Sequence, residues 1–135
     1  MQIEITDTKT IQALQDEFNT MFPYLKIELF NKPHDINAPS PKKQIKHTHK
    51  TLGECRTIHN SGNITISPLS SVAQLEQDFN TIYGLSVQVF RRSGNVWLET
   101  TVTDSWTLTD QNEQGESLTK YINDRNTETF TKEED

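Results

Sequence analysis

The sequence predicts an α+β domain made of duplicated βαβ units, a ferredoxin-like two-layer sandwich with an added C-terminal hairpin strand and a short helix. The main observation is an internal repeat, in which TIQALQDEFNTMFPYLKIELF (10–30) aligns with SVAQLEQDFNTIYGLSVQVF (71–90). A short alternating stretch precedes each copy, QIEIT at 2–6 and NITIS at 63–67. Each copy therefore reads as strand, helix, strand, and two such right-handed units in succession describe the ferredoxin-like plan.

Within each copy, apolar residues recur first at helical spacing and then at strand spacing. The helical positions fall at i, i+3, i+7 and i+10, which is one face of a helix. They are Ile11, Leu14, Phe18 and Met21 in the first copy, and Val72, Leu75, Phe79 and Ile82 in the second. The strands that follow, near 25–30 and 85–90, alternate apolar and polar residues. We therefore expect helices on one face of the sheet and a polar second face.

The residues after the second copy predict a hairpin and a short helix. Ser93-Gly94-Asn95 is a turn sequence between strands near 85–91 and 96–103. Thr107 and Asp110 form a capping-box pattern that begins a helix, and Gly115 weakens that helix.

The chain is expected to form a single domain over residues 1–123. Its 135 residues suffice for a buried core without disulfides or a structural metal. The repeat copies span 2–30 and 63–90, and the stretch between them, 31–62, reads as an irregular insert. Residues 124–135 are expected to be a flexible acidic tail.

Composition narrows the classes of partner and the compartment. A formal net charge of -6 disfavours nucleic-acid binding, because that binding needs Lys and Arg to neutralise phosphates. No apolar run approaches the roughly 18 residues of a membrane helix, and the N-terminus has no signal-peptide pattern. The single cysteine cannot form an internal disulfide, so we expect a cytoplasmic protein.

The stretch KHTHKTLGECRTIH (46–59) holds the candidate metal ligands His47, His49, Cys55 and His59. H-x-H on a strand points both imidazoles to one side, and C-x3-H on a helix places both groups on one face, so these side chains could hold zinc. The spacing matches no specific zinc motif. The alternative is a solvated basic loop, suited to an acidic partner, with Cys55 as a small buried apolar group.

Catalysis finds little support in the residue pattern. Cys55 and His59 could pair as nucleophile and base, but no third group that would orient them is evident. The chain has no phosphate-cradling glycine loop and no G-x-S-x-G motif. The sequence therefore favours a protein that is not an enzyme, and it assigns no catalytic or cofactor-binding residue.

Phe30 and Phe90 are the candidate interface residues. They occupy equivalent positions in the two copies and fall on the outward parity of their strands. Two outward phenylalanines could form an aromatic patch that an isologous dimer would bury. The sequence thus favours a non-catalytic binding or assembly module that self-associates or docks a protein partner. The alternative is a metal- or small-ligand-binding protein, or a weakly marked enzyme, that uses His47, His49, Cys55 and His59.

The stretch VFRRSGNVWLETTVTDSWTLTDQNEQG (89–115) resembles segments of small bacterial proteins. The resemblance covers about a fifth of the chain. It implies a bacterial cytosolic protein and carries no activity, ligand or site residue.

Overall fold

The computed structural model describes residues 1–31 and 43–134, with side chains described through residue 125. These residues form a mixed α+β fold with three α-helices and two antiparallel sheets, one of them a curled half-barrel. In chain order the elements are β1 (Gln2–Ile5), α1 (Ile11–Met21), β2 (Leu25–Asn31), β3 (Lys43–Gln44), β4 (Gly62–Thr65), α2 (Val72–Tyr83), β5 (Ser86–Ser93), β6 (Val96–Glu99) and α3 (Leu108–Glu134). Short 3-10 turns lie at Leu52–Cys55 and Thr101–Thr103.

The strands divide between two sheets. Among the described strands, β1 pairs only with β4, and the other sheet has the order β3-β2-β5-β6. The predicted α+β class is confirmed, and β6 joins β5 as a hairpin strand. The predicted ferredoxin-like arrangement is not confirmed. Because β1 pairs with β4 and β2 pairs with β5, the two strands flanking each helix lie in different sheets, and the described strands form no parallel crossover.

Two cross-strand pairs join residues that hold the same position in the aligned copies. Ile3 lies opposite Ile64 in the β1–β4 ladder. Glu28 lies opposite Gln88 in the β2–β5 ladder. Each ladder is therefore centred on one pair of matched residues. Because the strands are antiparallel, a residue that follows this pair on one strand faces a residue that precedes it on the other.

Polar side chains define where the helices begin. The hydroxyl of Thr10 accepts a hydrogen bond from the Ala13 amide at 3.1 Å, and Ser71 accepts one from Gln74 at 3.1 Å. These bonds satisfy amides that the first turn of a helix leaves free. α2 ends at Gly84, whose φ of 66° is a left-handed conformation that glycine adopts without a steric penalty.

The buried apolar residues form one core between the helices and the two sheets. Phe18 and Phe79 are fully buried at equivalent positions of α1 and α2. The predicted helix faces agree with the structure except at their last positions, since Met21 is only partly buried and Ile82 is 47% exposed. The remaining core includes Ile3, Ile5, Ile11, Leu14, Leu25, Ile27, Leu29, Leu52, Ile64, Ile66, Val72, Leu75, Leu85, Val87, Val89 and Leu108.

α3 is longer than the short helix that the sequence predicts. It packs closely on β5 at Gly115, where an added Cβ would lie 3.0 Å from Tyr24 Cβ and 3.2 Å from the carbonyl oxygen of Arg92. The glycine that weakens the helix therefore permits its close approach to the sheet. The helical backbone continues to Glu134, and the flexibility expected of residues 124–135 stays a prediction. No helix in the described part of the chain is both long enough and apolar enough to cross a membrane.

Candidate functional site

The histidine-containing segment 46–59 lies against the start of α1. The carbonyl oxygens of Thr48 and Lys50 accept hydrogen bonds from the amides of Gln12 and Ile11, both at 2.9 Å. These contacts complete the N-terminus of the helix. Part of the segment therefore has a structural role that its side-chain pattern did not reveal, because the backbone makes the contacts.

The start of α2 is completed in the same way by a different loop. The carbonyl oxygens of Asp104 and Trp106 accept hydrogen bonds from the amides of Ala73 and Val72, at 2.8 and 3.1 Å. The loop before α3 thus does for α2 what segment 46–59 does for α1.

The four predicted metal ligands lie in different local environments. His47 and His49 are exposed, and their ring centroids are 5.7 Å apart in a T-shaped contact. Cys55 lies partly buried against the core, and burial raises the pKa of its thiol. His59 contacts Asp7. Among the residues described here, no group of three or more His, Cys, Asp or Glu side chains could hold a metal ion. The assignment of zinc to His47, His49, Cys55 and His59 stays a prediction.

Asp7, Arg56 and His59 form a charged cluster beside the end of α2. Arg56 donates to Asp7 Oδ1 from Nη2 at 2.8 Å and from Nε at 3.1 Å, and its Nη1 donates to the carbonyl of Tyr83 at 3.0 Å. Nδ1 of His59 is 3.0 Å from both carboxylate oxygens of Asp7. The hydrogen bonds with His59 and then Arg56 hold the pKa of Asp7 below its ordinary value.

This cluster orients an imidazole without supplying a nucleophile. A carboxylate on one ring nitrogen fixes the position of a histidine. Within the described residues, however, the side-chain hydrogen bonds of His59 go only to Asp7. A raised pKa also keeps the Cys55 thiol protonated, and the thiolate is the reactive form. Sequence reasoning missed Asp7 because its partner Arg56 is 49 residues away, and no local spacing signals such a pair.

The outer face of the four-stranded sheet carries a cluster that we call the aromatic platform, formed by Lys26, Phe90 and Trp97. Lys26 lies opposite Phe90 in the β2–β5 ladder. Its Nζ is 5.6 Å from the Phe90 ring centroid and 5.0 Å from the Trp97 centroid, within the range of a cation–π attraction. Nζ also lies 3.0 Å from Oε1 of Glu28. Both rings remain partly exposed.

Phe30 lies on the same face as Phe90 but at the other end of the ladder. It pairs with Ser86, four positions from the Lys26–Phe90 pair, a separation of about 13 Å along the strand. Phe30 borders a cavity of about 200 Å³, whose other lining residues are Glu76, Ser86, Val87, Gln88, Thr101 and Asp104. The two predicted interface residues are thus both partly exposed and outward-facing, but Phe90 lies in the aromatic platform and Phe30 lies beside the cavity.

Searches with the chain against protein-family models, curated proteins and solved structures found no match.

Proposed function

We propose that this chain is a non-catalytic binding module that docks a protein partner on the outer face of its four-stranded sheet. The observation that carries the proposal is the aromatic platform. Phe90 and Trp97 keep part of their rings exposed, and the Lys26 ammonium lies over both. Partly exposed aromatic rings beside a cation are typical of the residues that anchor protein interfaces.

The charges around the platform indicate the chemistry of the partner. Glu28 contacts Lys26, Glu99 lies opposite Phe90, and Arg92 lies opposite Trp97. The rings are therefore surrounded by both signs of charge. Such a surface fits a partner with an apolar anchor at its centre and mixed charges around it. A nucleic-acid ligand would instead favour uniformly basic surroundings.

The proposal includes a duplicated architecture, in keeping with the aligned copies. The support is the register in which Ile3 meets Ile64 and Glu28 meets Gln88. The matching loops that complete α1 and α2 extend the likeness beyond each strand–helix–strand copy. On this proposal, Phe30 and Phe90 hold equivalent positions in the two copies, but only Phe90 belongs to the aromatic platform. A cytoplasmic location belongs to the same proposal, on the single cysteine.

Site-specific photo-crosslinking in cells of the source organism tests the platform. A photoreactive phenylalanine analogue at Trp97 is compared with the same analogue at Glu4, an exposed residue of β1 in the other sheet. We expect a discrete product from Trp97 that is absent from Glu4 and that disappears when Phe90→Asp is added. A product of twice the chain's mass would identify the partner as a second copy. If both positions give the same products, or none, the platform is not a docking surface.

A second candidate function is metal or small-ligand binding at the histidine segment. The observation that favours it is the contact between His47 and His49, whose rings lie 5.7 Å apart. Titration of tag-free protein with zinc, followed by calorimetry, tests the idea. One equivalent of bound zinc that is lost in His47→Ala would support it. The absence of binding, or binding that survives the substitution, would leave the histidines without this role.

A further inference from the structure

The chain is acidic as a whole, but one stretch of its surface is basic. Residues 43–50, which we call the basic segment, contain no Asp or Glu. Their exposed basic residues are Lys43, Lys46, His47, His49 and Lys50. The ion pairs of the described structure involve other residues, so the three lysines have no described carboxylate partner.

A groove of the opposite charge lies where α3 begins. It has a volume of about 390 Å³ and is lined by Trp106, Asp110, Glu113, Gln114 and Ser117. The four helical residues fall at i, i+3, i+4 and i+7, so they share one face of α3. Trp106 is 39% exposed, and Asp110 and Glu113 have no described ion-pair partner. We call this feature the acidic groove.

The acidic groove fits the side chain of a lysine. The aliphatic stem of lysine packs on an aromatic ring, and its ammonium is attracted both by the ring and by nearby carboxylates. Arg91 already lies against Trp106, with its guanidinium 5.7 Å from the ring, which shows that the indole accepts a cationic neighbour. The negative charge of the groove comes from Asp110 and Glu113, whereas Glu116, outside the lining, is paired with Lys120.

We propose that the acidic groove of one copy of this chain binds the lysines of the basic segment of a second copy. Charge complementarity carries the proposal, because the groove needs a cationic partner and the basic segment offers exposed lysines that no described carboxylate pairs. The two surfaces also hold matching places in the fold. Lys50 completes the start of α1 and Trp106 completes the start of α2, each through its carbonyl oxygen.

Where two copies exchange this contact reciprocally, it closes as a two-fold dimer; where they do not, it closes into a larger ring or extends as a chain of copies. The residues involved lie outside the aromatic platform. This assembly therefore goes beyond the proposed docking function, and either can fail without the other.

Sedimentation velocity of the tag-free full chain tests the contact. It is run at about 0.01 M and about 1 M salt, where screening lengths are about 30 Å and about 3 Å. We expect species larger than one chain at low salt that dissociate at high salt. A chain that sediments as a monomer at every protein concentration in low salt would overturn the proposal.

Charge reversal then identifies the surfaces. One variant carries Lys46→Glu with Lys50→Glu, and the other carries Asp110→Lys with Glu113→Lys. Each repels the wild-type contact, so we expect each alone to associate at least about tenfold more weakly, a change of about 1.4 kcal/mol. An equimolar mixture should recover large species, because the reversed segment of the first variant then meets the reversed groove of the second.

Matched controls separate this contact from net charge and from misfolding. Glu4→Lys changes an exposed acidic residue on β1 and should associate like the wild type. The four reversed side chains are exposed, so circular dichroism should show an unchanged fold. Phe90→Asp should leave the association intact. If either charge-reversed variant associates like the wild type, or if the mixture stays monomeric, the contact proposed here is wrong.

Discussion

Arg56 holds the carboxylate of Asp7 from inside the protein: the Arg56 side chain is fully buried, whereas 45% of the Asp7 side chain is exposed. The same guanidinium donates to the carbonyl of Tyr83 at the end of α2. One buried cation therefore ties the loop after β1 to the C-terminus of a helix. A cation at this end also interacts favourably with the helix dipole.

Asp7→Asn should make the stability of the protein less dependent on pH in acid. The hydrogen bonds from His59 and Arg56 hold the pKa of Asp7 below the value of 3.8 for an unperturbed carboxyl. A lowered folded-state pKa gives a stabilisation that is fully present above the unfolded-state value and is lost as the pH falls through the folded-state value. We therefore expect the variant to be less stable than the wild type at neutral pH and to approach it as the pH falls through the lowered folded-state pKa of Asp7.

Urea unfolding at a series of pH values measures this difference. Asp16→Asn is the control, because Asp16 is exposed and, among the described residues, its side chain hydrogen-bonds only with Gln12 of the same helix. A gap between wild type and Asp7→Asn that stays constant down to the lowest pH would contradict the expected linkage.

Gly115→Ala should destabilise the fold even though alanine favours helices. The replacement gains about 1 kcal/mol of helix propensity. Its Cβ would meet Tyr24, Arg91 and the Arg92 carbonyl at 3.0 to 3.2 Å, and overpacking of this kind costs about 1–3 kcal/mol. We expect a net loss of about 1 kcal/mol in the free energy of unfolding. Ser117→Ala, at an exposed position of the same helix, should be neutral or slightly stabilising. A more stable Gly115→Ala protein would show that α3 can move away from the sheet.

Phe18→Ala and Phe79→Ala should cost similar amounts of stability. Both rings are fully buried at equivalent helix positions, and removing a buried phenylalanine costs about 3–5 kcal/mol. Ile82→Ala should cost less than either, about 1 kcal/mol or below, because Ile82 is 47% exposed. Chemical denaturation ranks the three variants. An Ile82→Ala loss as large as that of Phe79→Ala would indicate that Ile82 is buried in solution, as the helical spacing predicts.

The sequence predicted which residues form elements better than it predicted which elements meet. The alternation of apolar and polar residues predicts that Ile27 and Val87 face the core, but it does not predict which strand pairs with each of theirs. The division into two sheets depends on long-range pairs such as Ile3 with Ile64, and these leave no local pattern. The same limit applies to the charged cluster, since nothing near Asp7 in the sequence points to Arg56. In segment 46–59 the prediction of a metal site rested on side chains. The described contacts of Thr48 and Lys50 are made by backbone carbonyls instead, and these leave no sequence pattern.

Both ladders pair matched residues of the two copies, and this pairing has a consequence for synthesis on the ribosome. Among the described strands, β1 pairs only with β4 and β2 pairs mainly with β5, so each depends on a strand about 60 residues later in the chain. β1 and β2 are translated before β4 and β5, so they must wait for these later strands before their ladders can close. Contacts of such long range slow folding, and unpaired strand edges expose a nascent chain to aggregation during that interval. The first half, released alone, would lack the partners that complete both sheets.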